Sequence, residues 1–565
     1  MSTAKRVYFY LVYFIALGMF AAGVSILLGI CFDVITKYAL VQVGAPSFAR
    51  ETLSLGLAML VIGGVLWFLF WRAIQRNVSG DTDEIGSAIR KLFLNIILAA
   101  SALVGLVAAV GFLKWLMAGA LLNYFPSGEL AQLIVTGVIW YYHWQVTEKE
   151  GQPSPEARTL RRWYVYLLSG WGLVSLSVNL VGLVNTAVLH LPVWGEAIVS
   201  GGFWSSSAQG NISWILLGGV VWAFHWFRMA RGDADSTLRQ VYLYLLAISG
   251  GAIAGLVALT VSLSGVFRFA LGSLSTPIST YFQFLGWAVS TMLIAAAIWV
   301  YHQRVTQEEA AQVQKRLSAR RVYSYLMSFL GLGALIAGLI ILLGILLELP
   351  IHTAGVAPTV VTAGWWRDQL SICLALVVVA TPIWLYYWNK VLQMAATGGV
   401  AERRARSRRI FLYIVLGAAV VALAAGLINI IYQLLNGVLQ GTFGVEVLRH
   451  SKWSLQTLIV AVPVLMYHWR IMRQDQRLGA EVAVVRKTVT VLVSDRAAEL
   501  VPQIEEKLGY KVHTLRYLGQ MPEDFPVLPE DEINRLVSDI QATPSTKVML
   551  IVVEGKIMVL PYREK

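Results

Sequence analysis

The chain has 565 residues, of which 57% are hydrophobic and only 14% are charged. Soluble domains carry about a quarter of their residues as charges, so this composition excludes an ordinary soluble protein and indicates a multi-pass membrane protein. The formal net charge of +13 does not require nucleic acid as a partner, because basic residues beside membrane spans account for it.

The first predicted element is an apolar helix over residues 11–32, which follows Lys5 and Arg6. About 20 apolar residues cross a bilayer as a helix, and this run is too long for a cleaved signal peptide. Similar runs recur to residue 480 and predict an all-α polytopic fold of twelve transmembrane helices in six tandem two-helix repeats. The predicted repeats are residues 1–80, 81–152, 153–234, 235–312, 313–400 and 401–480.

The first helix of each predicted repeat opens with a basic residue and two aromatic positions, in the pattern Arg-x-Tyr-x-Tyr. The six openings are Arg6, Tyr8, Tyr10; Lys91, Phe93, Asn95; Arg162, Tyr164, Tyr166; Arg239, Tyr242, Tyr244; Arg321, Tyr323, Tyr325; and Arg409, Phe411, Tyr413. A pattern repeated at this interval indicates one supersecondary unit that was copied.

The second helix of each repeat ends in a cluster of the form Trp-x-Tyr-His-Trp. Aromatic residues with a polar tip favour the membrane–water interface, so we interpret both clusters as an interfacial belt. The predicted belt is Tyr8, Tyr10, Trp67, Trp71, Trp140, Trp144, Tyr164, Tyr166, Trp222, Trp226, Trp299, Tyr323, Tyr325, Trp384, Trp388 and Trp469.

Four histidines share one repeat position: His143, His225, His302 and His468. Four equivalent histidines near helix ends suggest haem or metal ligation as an alternative, although Phe70 and Tyr387 replace them in two repeats. An amphipathic belt residue is the more economical interpretation. We therefore expect no bound metal and no cofactor, with haem as the alternative.

The basic residues are distributed unevenly between the two sides of the predicted membrane. The loops inside the hairpins hold only Lys37, Arg50, Lys114, Arg268, Arg367, Arg449 and Lys452, whereas most of the 45 Lys and Arg lie on the belt side or in the tail. The positive-inside rule then places both termini in the cytoplasm. The same basic residues predict contact with anionic lipids at the cytoplasmic face.

The centres of the predicted spans lack Asp and Glu. Ion-coupled transporters usually carry ionisable groups at this depth, so a coupled pump is disfavoured. We also find no catalytic motif, and the sequence does not predict an enzyme.

The composition changes after Gly479. Residues 486–565 predict a small cytoplasmic α/β domain of order βαβαββ, with a first strand at 488–494. Ser494 and Asp495 lie at the C-terminal end of that strand, where open α/β sheets bind ligands. A helix cap by Asp495 is the alternative, and it needs no ligand.

The Arg-x-Tyr-x-Tyr opening and the Trp-x-Tyr-His-Trp ending, over roughly residues 1–480, resemble a bacterial multi-pass repeat family known only as a domain of unknown function. This resemblance implies a bacterial plasma (inner) membrane location and carries over no catalytic residue.

Three functions remain as hypotheses. The first is a non-enzymatic membrane scaffold or sensor whose residues 486–565 dock a protein partner or a small ligand. The second is a passive or facilitated transporter or channel with a path between hairpins. The third is a haem-binding redox membrane protein.

Overall fold

The fold is taken from a computed structural model. The structure describes residues 3–36, 46–80, 84–121, 124–152, 154–192, 202–272, 277–310, 317–353, 364–441, 444–481, 488–493, 500–516, 530–543, 545, 547–553 and 556–562.

Six successive helix pairs, each with an outgoing and a returning helix, make up most of the chain. In order, they are Thr3–Thr36 with Pro46–Gly80, Ala88–Met117 with Ser127–Glu150, Pro155–Leu189 with Ser206–Met229, Thr237–Ala270 with Phe284–Ala310, Leu317–Thr353 with Trp365–Thr397, and Arg406–Gln440 with Val445–Glu481. Two short helices, Ile278–Tyr281 and Gly399–Arg403, lie between longer ones.

Eleven helices within the described residues are long and apolar enough to cross a membrane. The protein is therefore a multi-pass membrane protein. The remaining predicted span, Ser127–Glu150 in the second pair, is helical where the sequence predicts a helix. It is not among the eleven, because even its charge-free stretch 130–147 contains Gln132, His143 and Gln145 beside several Trp and Tyr residues, which lower its mean hydropathy.

The chain divides into two compact units. The first unit comprises Met1–Gln393 with Ala419–Val462, and the second comprises Met394–Ala418 with Pro463–Lys565. The two thiols, Cys31 and Cys373, both lie in the first unit and are free.

Glycines allow close approach of the two helices within a pair. A Cβ atom added at Gly172 would lie 2.7 Å from the backbone nitrogen of Trp222, and one at Gly331 would lie 2.9 Å from that of Trp384. Both glycines stand eight residues after the first tyrosine of their repeat. The same contact therefore recurs in the third and fifth helix pairs, at a point where a side chain does not fit.

The outgoing helix of the fourth pair contains a π-helical segment, Tyr242–Ile248. A π-helical turn takes an additional residue into the helix. Gly251, which faces the backbone nitrogen of Trp299 at 3.5 Å from its added Cβ, stands nine residues after Tyr242. The extra residue accounts for this difference from the third and fifth pairs.

The C-terminal domain has the predicted order of strands and helices. Its elements are β1 (Thr488–Val493), a helix (Leu500–Leu508), β2 (His513–Arg516), a helix (Glu530–Ala542), β3 (Lys547–Val553) and β4 (Lys556–Pro561). The strand order is β2-β1-β3-β4, with β1 parallel to β2 and β3, and β4 antiparallel to β3. The buried residues Val491 and Leu550 pack against both helices through Ile504 and Ile540.

Candidate functional site

Charged and aromatic residues meet where the outgoing helices begin and the returning helices end. We call this set the terminal cluster. In four helix pairs, a basic residue at the start of the outgoing helix forms an ion pair with a carboxylate at or just after the end of the returning helix. These ion pairs are Arg6–Glu84, Lys91–Glu150, Arg162–Asp233 and Arg239–Glu309.

The sixth helix pair has the corresponding ion pair within the second unit. Arg408 Nε lies 2.6 Å from Asp475 Oδ2, and Arg403 binds the other oxygen of the same carboxylate at 2.9 Å. The sequence pattern gives Arg409 as the first basic residue of this repeat, whereas the ion pair forms at the preceding residue, Arg408. The motif spacing alone does not establish which face of the helix meets the returning helix.

The second helix pair has the most buried ion pair of the first unit. The side chains of Arg90 and Lys91 are 0% exposed, and both bind Glu150. Arg90 also donates to the hydroxyl of Tyr10 at 2.9 Å. Removing such charges from water costs several kcal/mol, so the additional hydrogen bond to Tyr10 contributes to keeping this ion pair stable and joins two helix pairs.

Arginines of one helix pair also lie over tryptophans of the preceding pair. The guanidinium carbon lies 6.0, 4.6 and 4.4 Å from the ring centroid in Arg90–Trp71, Arg161–Trp144 and Arg239–Trp226. Cation–π contacts of this length are favourable, and more so when they are desolvated. The first four helix pairs are thus linked in series through the terminal cluster.

An equivalent hydrogen bond also occurs between pairs one and two and between pairs three and four. Trp71 Nε1 donates to the Tyr142 hydroxyl at 2.8 Å, and Trp226 Nε1 donates to the Tyr301 hydroxyl at 2.8 Å. In each case the tyrosine directly precedes the repeated histidine. Pairs one and two therefore associate in the same way as pairs three and four.

The repeated histidines lie inside the protein. His143, His225, His302 and His468 are each buried, and each places Nδ1 2.7–2.9 Å from the carbonyl oxygen four residues earlier. A carbonyl only accepts, so Nδ1 carries the hydrogen and Nε2 is the acceptor.

Two of these Nε2 atoms have tyrosine partners. Nε2 of His143 lies 2.7 Å from the Tyr13 hydroxyl, and Nε2 of His225 lies 3.4 Å from that of Tyr164. Nε2 is the atom that would ligate haem in this tautomer, and the tyrosines already occupy that position. The packing of these two histidines therefore does not fit haem ligation. At the same repeat position, Tyr387 has its hydroxyl 2.7 Å from that of Tyr323.

The sixteen residues of the predicted belt fall into three groups. Buried within the protein are Tyr10, Tyr164, Tyr166, Trp226, Tyr323, Tyr325 and Trp388; half-buried are Trp67, Trp71, Trp140, Trp144, Trp222 and Trp384; exposed are Tyr8, Trp299 and Trp469. The buried group packs on neighbouring helices. Contact with the membrane interface therefore stays a prediction for the exposed and half-buried groups.

The sequence motifs did not identify the carboxylates that form ion pairs in the terminal cluster. Glu150, Asp233, Glu309 and Asp475 each follow the first aromatic position of the Trp-x-Tyr-His-Trp cluster, or its Leu465 equivalent, by ten or eleven residues. That regular spacing is a signal in the sequence. The candidate tail residues Ser494 and Asp495 lie outside the described residues.

No curated protein and no solved structure matches the chain. One family model matches it in four segments, residues 6–126, 126–192, 172–286 and 321–452, which together cover more than half of the chain. Two of these segments begin at Arg6 and Arg321, the first basic residues of the first and fifth predicted repeats. The chain therefore belongs to the family described as Domain of unknown function (DUF5671), whose model matches it repeatedly.

Proposed function

We propose that the protein is a non-enzymatic membrane scaffold or sensor, in which a bundle of helix pairs carries a C-terminal domain that docks a protein partner. In this proposal twelve spans form six tandem copies, the terminal cluster faces the cytoplasm of a bacterial cell, and residues 486–565 are cytoplasmic. The distribution of basic residues supports this orientation.

One observation carries the docking role: the face of the tail sheet opposite its two described helices exposes two large apolar side chains. Residues on a strand alternate between the two faces of a sheet. Val491 and Leu550 face the two helices, and Thr514 pairs with Val491. Leu515 and Ile551, the neighbours of Thr514 and Leu550, therefore face the other way. Met558 pairs with Ile551.

This second face exposes large side chains. Leu515 is 50% exposed and Met558 is 44% exposed. Sheets with parallel strands are usually covered on both faces, and large apolar groups that are exposed on one face favour an interaction site there. We infer that a partner's apolar surface, such as an amphipathic helix, packs on this face.

In-cell photo-crosslinking with the full chain tests this role. A photoreactive amino acid in place of Met558 should give a discrete protein adduct, and Leu515→Glu should abolish that adduct while leaving the protein in the membrane fraction. A photoreactive residue in place of Gln503, an exposed position on the helix face of the sheet, is the matched control and should give no such adduct. No discrete adduct at 558, or an equal adduct at both positions, would refute partner docking.

Orientation is tested separately with reporters fused to the C-terminus or inserted between Thr36 and Pro46. A cytoplasm-active reporter should work only at the C-terminus, and a periplasm-active reporter only at the insertion. The reverse pattern would overturn the proposed topology.

A further inference from the structure

Two crevices of similar construction lie between helices of the first unit. The first crevice lies within helix pairs one and two and has a volume of about 330 Å³; the second lies within pairs three and four and has a volume of about 540 Å³. Both volumes fall in the range of small-molecule sites, roughly 300–1,000 Å³.

The two crevices are equivalent by position in the repeat. On the first outgoing helix, a single alignment that places Arg6 on Arg162 also matches five lining residues with five. These matches are Leu17 with Leu173, Gly18 with Val174, Ala21 with Ser177, Ala22 with Val178, and Ser25 with Val181.

The returning helix of the second and fourth pairs agrees as well. With His143 aligned on His302, the lining residues Gln132, Thr136 and Ile139 match Thr291, Ala295 and Ile298. On the remaining helix, Ile97, Ala100, Ser101 and Val104 match Ala247, Gly250, Gly251 and Ala254. This last alignment differs by one residue from the one that places Phe93 on Tyr242, because the π-helical segment intervenes.

Each crevice is open on one side and polar toward one end. Val174 and Val178 are 52% and 63% exposed, so the second crevice opens toward the lipid side of the helices. Its polar residues Asn179, Asn211 and Thr291 lie toward the helix ends that are farther from the terminal cluster, whereas the end near the terminal cluster is apolar.

Side-chain amides in both crevices have unused hydrogen-bonding capacity. Within the described residues, the side chains of Gln132 and Asn211 make no hydrogen bond, and Asn179 uses only its NH₂ group, which donates to the Ser175 carbonyl at 2.7 Å. An amide without a partner in an apolar environment is costly. No lining residue of either crevice is charged.

We propose that each crevice binds one uncharged single-chain amphiphile, with its hydroxyl-bearing headgroup on the amides and its hydrocarbon chain along the apolar end. A charged headgroup would be desolvated without a counter-charge, and a plain hydrocarbon would leave the amides unpaired. The proposal requires only that the helices cross the membrane; it depends neither on the orientation nor on the partner of the tail.

Two glycines allow each crevice to be filled separately. A Cβ atom added at Gly18 in the first crevice or at Gly250 in the second meets no atom within 4 Å. Gly18→Leu and Gly250→Leu therefore extend a side chain into open space. Gly137 is equally open but lines neither crevice, so Gly137→Leu is the matched control.

The test is photolabelling of the purified full chain in nanodiscs with a diazirine-bearing monoacylglycerol, followed by peptide mapping. Labels should fall on crevice-lining residues, and unlabelled monoacylglycerol should compete. Gly250→Leu should reduce labelling of the second crevice on the order of tenfold and spare the first, because room for about two methylenes is lost. Gly18→Leu should do the reverse, and Gly137→Leu should change neither.

Equal labelling by a diazirine alkane without a headgroup would mean general lipid contact and would refute the proposal. Stronger labelling by a diazirine fatty acid at a pH where it is ionised would also refute it, because it would indicate an anionic ligand. If a leucine variant fails to fold, competition on the unmodified chain decides alone: labelling that unlabelled monoacylglycerol does not displace contradicts a specific site.

Discussion

The terminal cluster and the crevices lie on the same helices but are built differently. At the terminal cluster, a buried ion pair, cation–π contacts and tyrosine hydrogen bonds link the first four helix pairs in series. At the crevices, glycines and small side chains leave open volume beside unpaired amides. Polar contacts therefore hold the helices together at the end with the terminal cluster, and open volume remains between the helices farther along.

The largest effect is expected from the buried ion pair of the terminal cluster. Arg90→Met leaves Glu150 without its main partner in a buried position, so the free energy of unfolding should fall by about 3–5 kcal/mol. Titration with a denaturing detergent in mixed micelles measures it. The control is Arg268→Met, which breaks the ion pair with Asp368 between side chains 45% and 47% exposed and should cost at most about 1 kcal/mol. Equal losses would remove the distinction.

The next effect concerns the close approach of helices near the cluster. Gly172→Ala places a Cβ atom 2.7 Å from the Trp222 backbone nitrogen, so the helices must move apart. We expect a loss of about 1–3 kcal/mol in the same assay. An unchanged midpoint would show that this contact is looser than the structure has it.

A smaller effect is expected from the hydrogen bond between neighbouring helix pairs. Tyr301→Phe keeps the ring and removes the acceptor of Trp226 Nε1, which lies on a tryptophan only 4% exposed. The loss should be about 1 kcal/mol. Tyr141→Phe changes a side chain that is 61% exposed and should be neutral; a similar loss there would point to a cause other than this hydrogen bond.

The smallest effect, of opposite sign, is expected in the second crevice. Gly250→Ala adds a methyl group where no atom lies within 4 Å and improves helix propensity. Stability should therefore stay constant or rise by up to about 1 kcal/mol. A loss as large as that of Gly172→Ala would show that the crevice is closed in the folded protein.

The sequence predicted most elements of the fold because apolar length and turn residues are local signals. Eleven described helices have the length and hydropathy predicted for membrane spans, and the described strands and helices of the tail follow the order βαβαββ. Only the helix Ser127–Glu150 lacks the hydropathy expected of a span. Its Glu129 and Gln132 are compatible with a position beside other helices and a crevice, which hydropathy alone does not register.

The terminal cluster was harder to predict because the same residue types occur at membrane interfaces and between packed helices. Aromatic and basic residues at helix ends are typical of a membrane interface, yet Tyr10, Trp226 and Arg90 are buried between helices. Which face of a helix meets its neighbour depends on packing across residues far apart in sequence. The Arg408–Asp475 ion pair, one position from the motif residue Arg409, shows the same limit.

The π-helical segment Tyr242–Ile248 has a consequence for how this chain tolerates insertions. One additional residue in a regular helix would turn everything beyond it by about 100°. Here the π-helical segment confines the change to about two helical turns. Gly250 and Gly251 line the second crevice at the positions that Ala100 and Ser101 occupy in the first crevice. One additional residue is thus accommodated without rotating the rest of the helix, and deletion of a single residue from this segment should restore an ordinary α-helix.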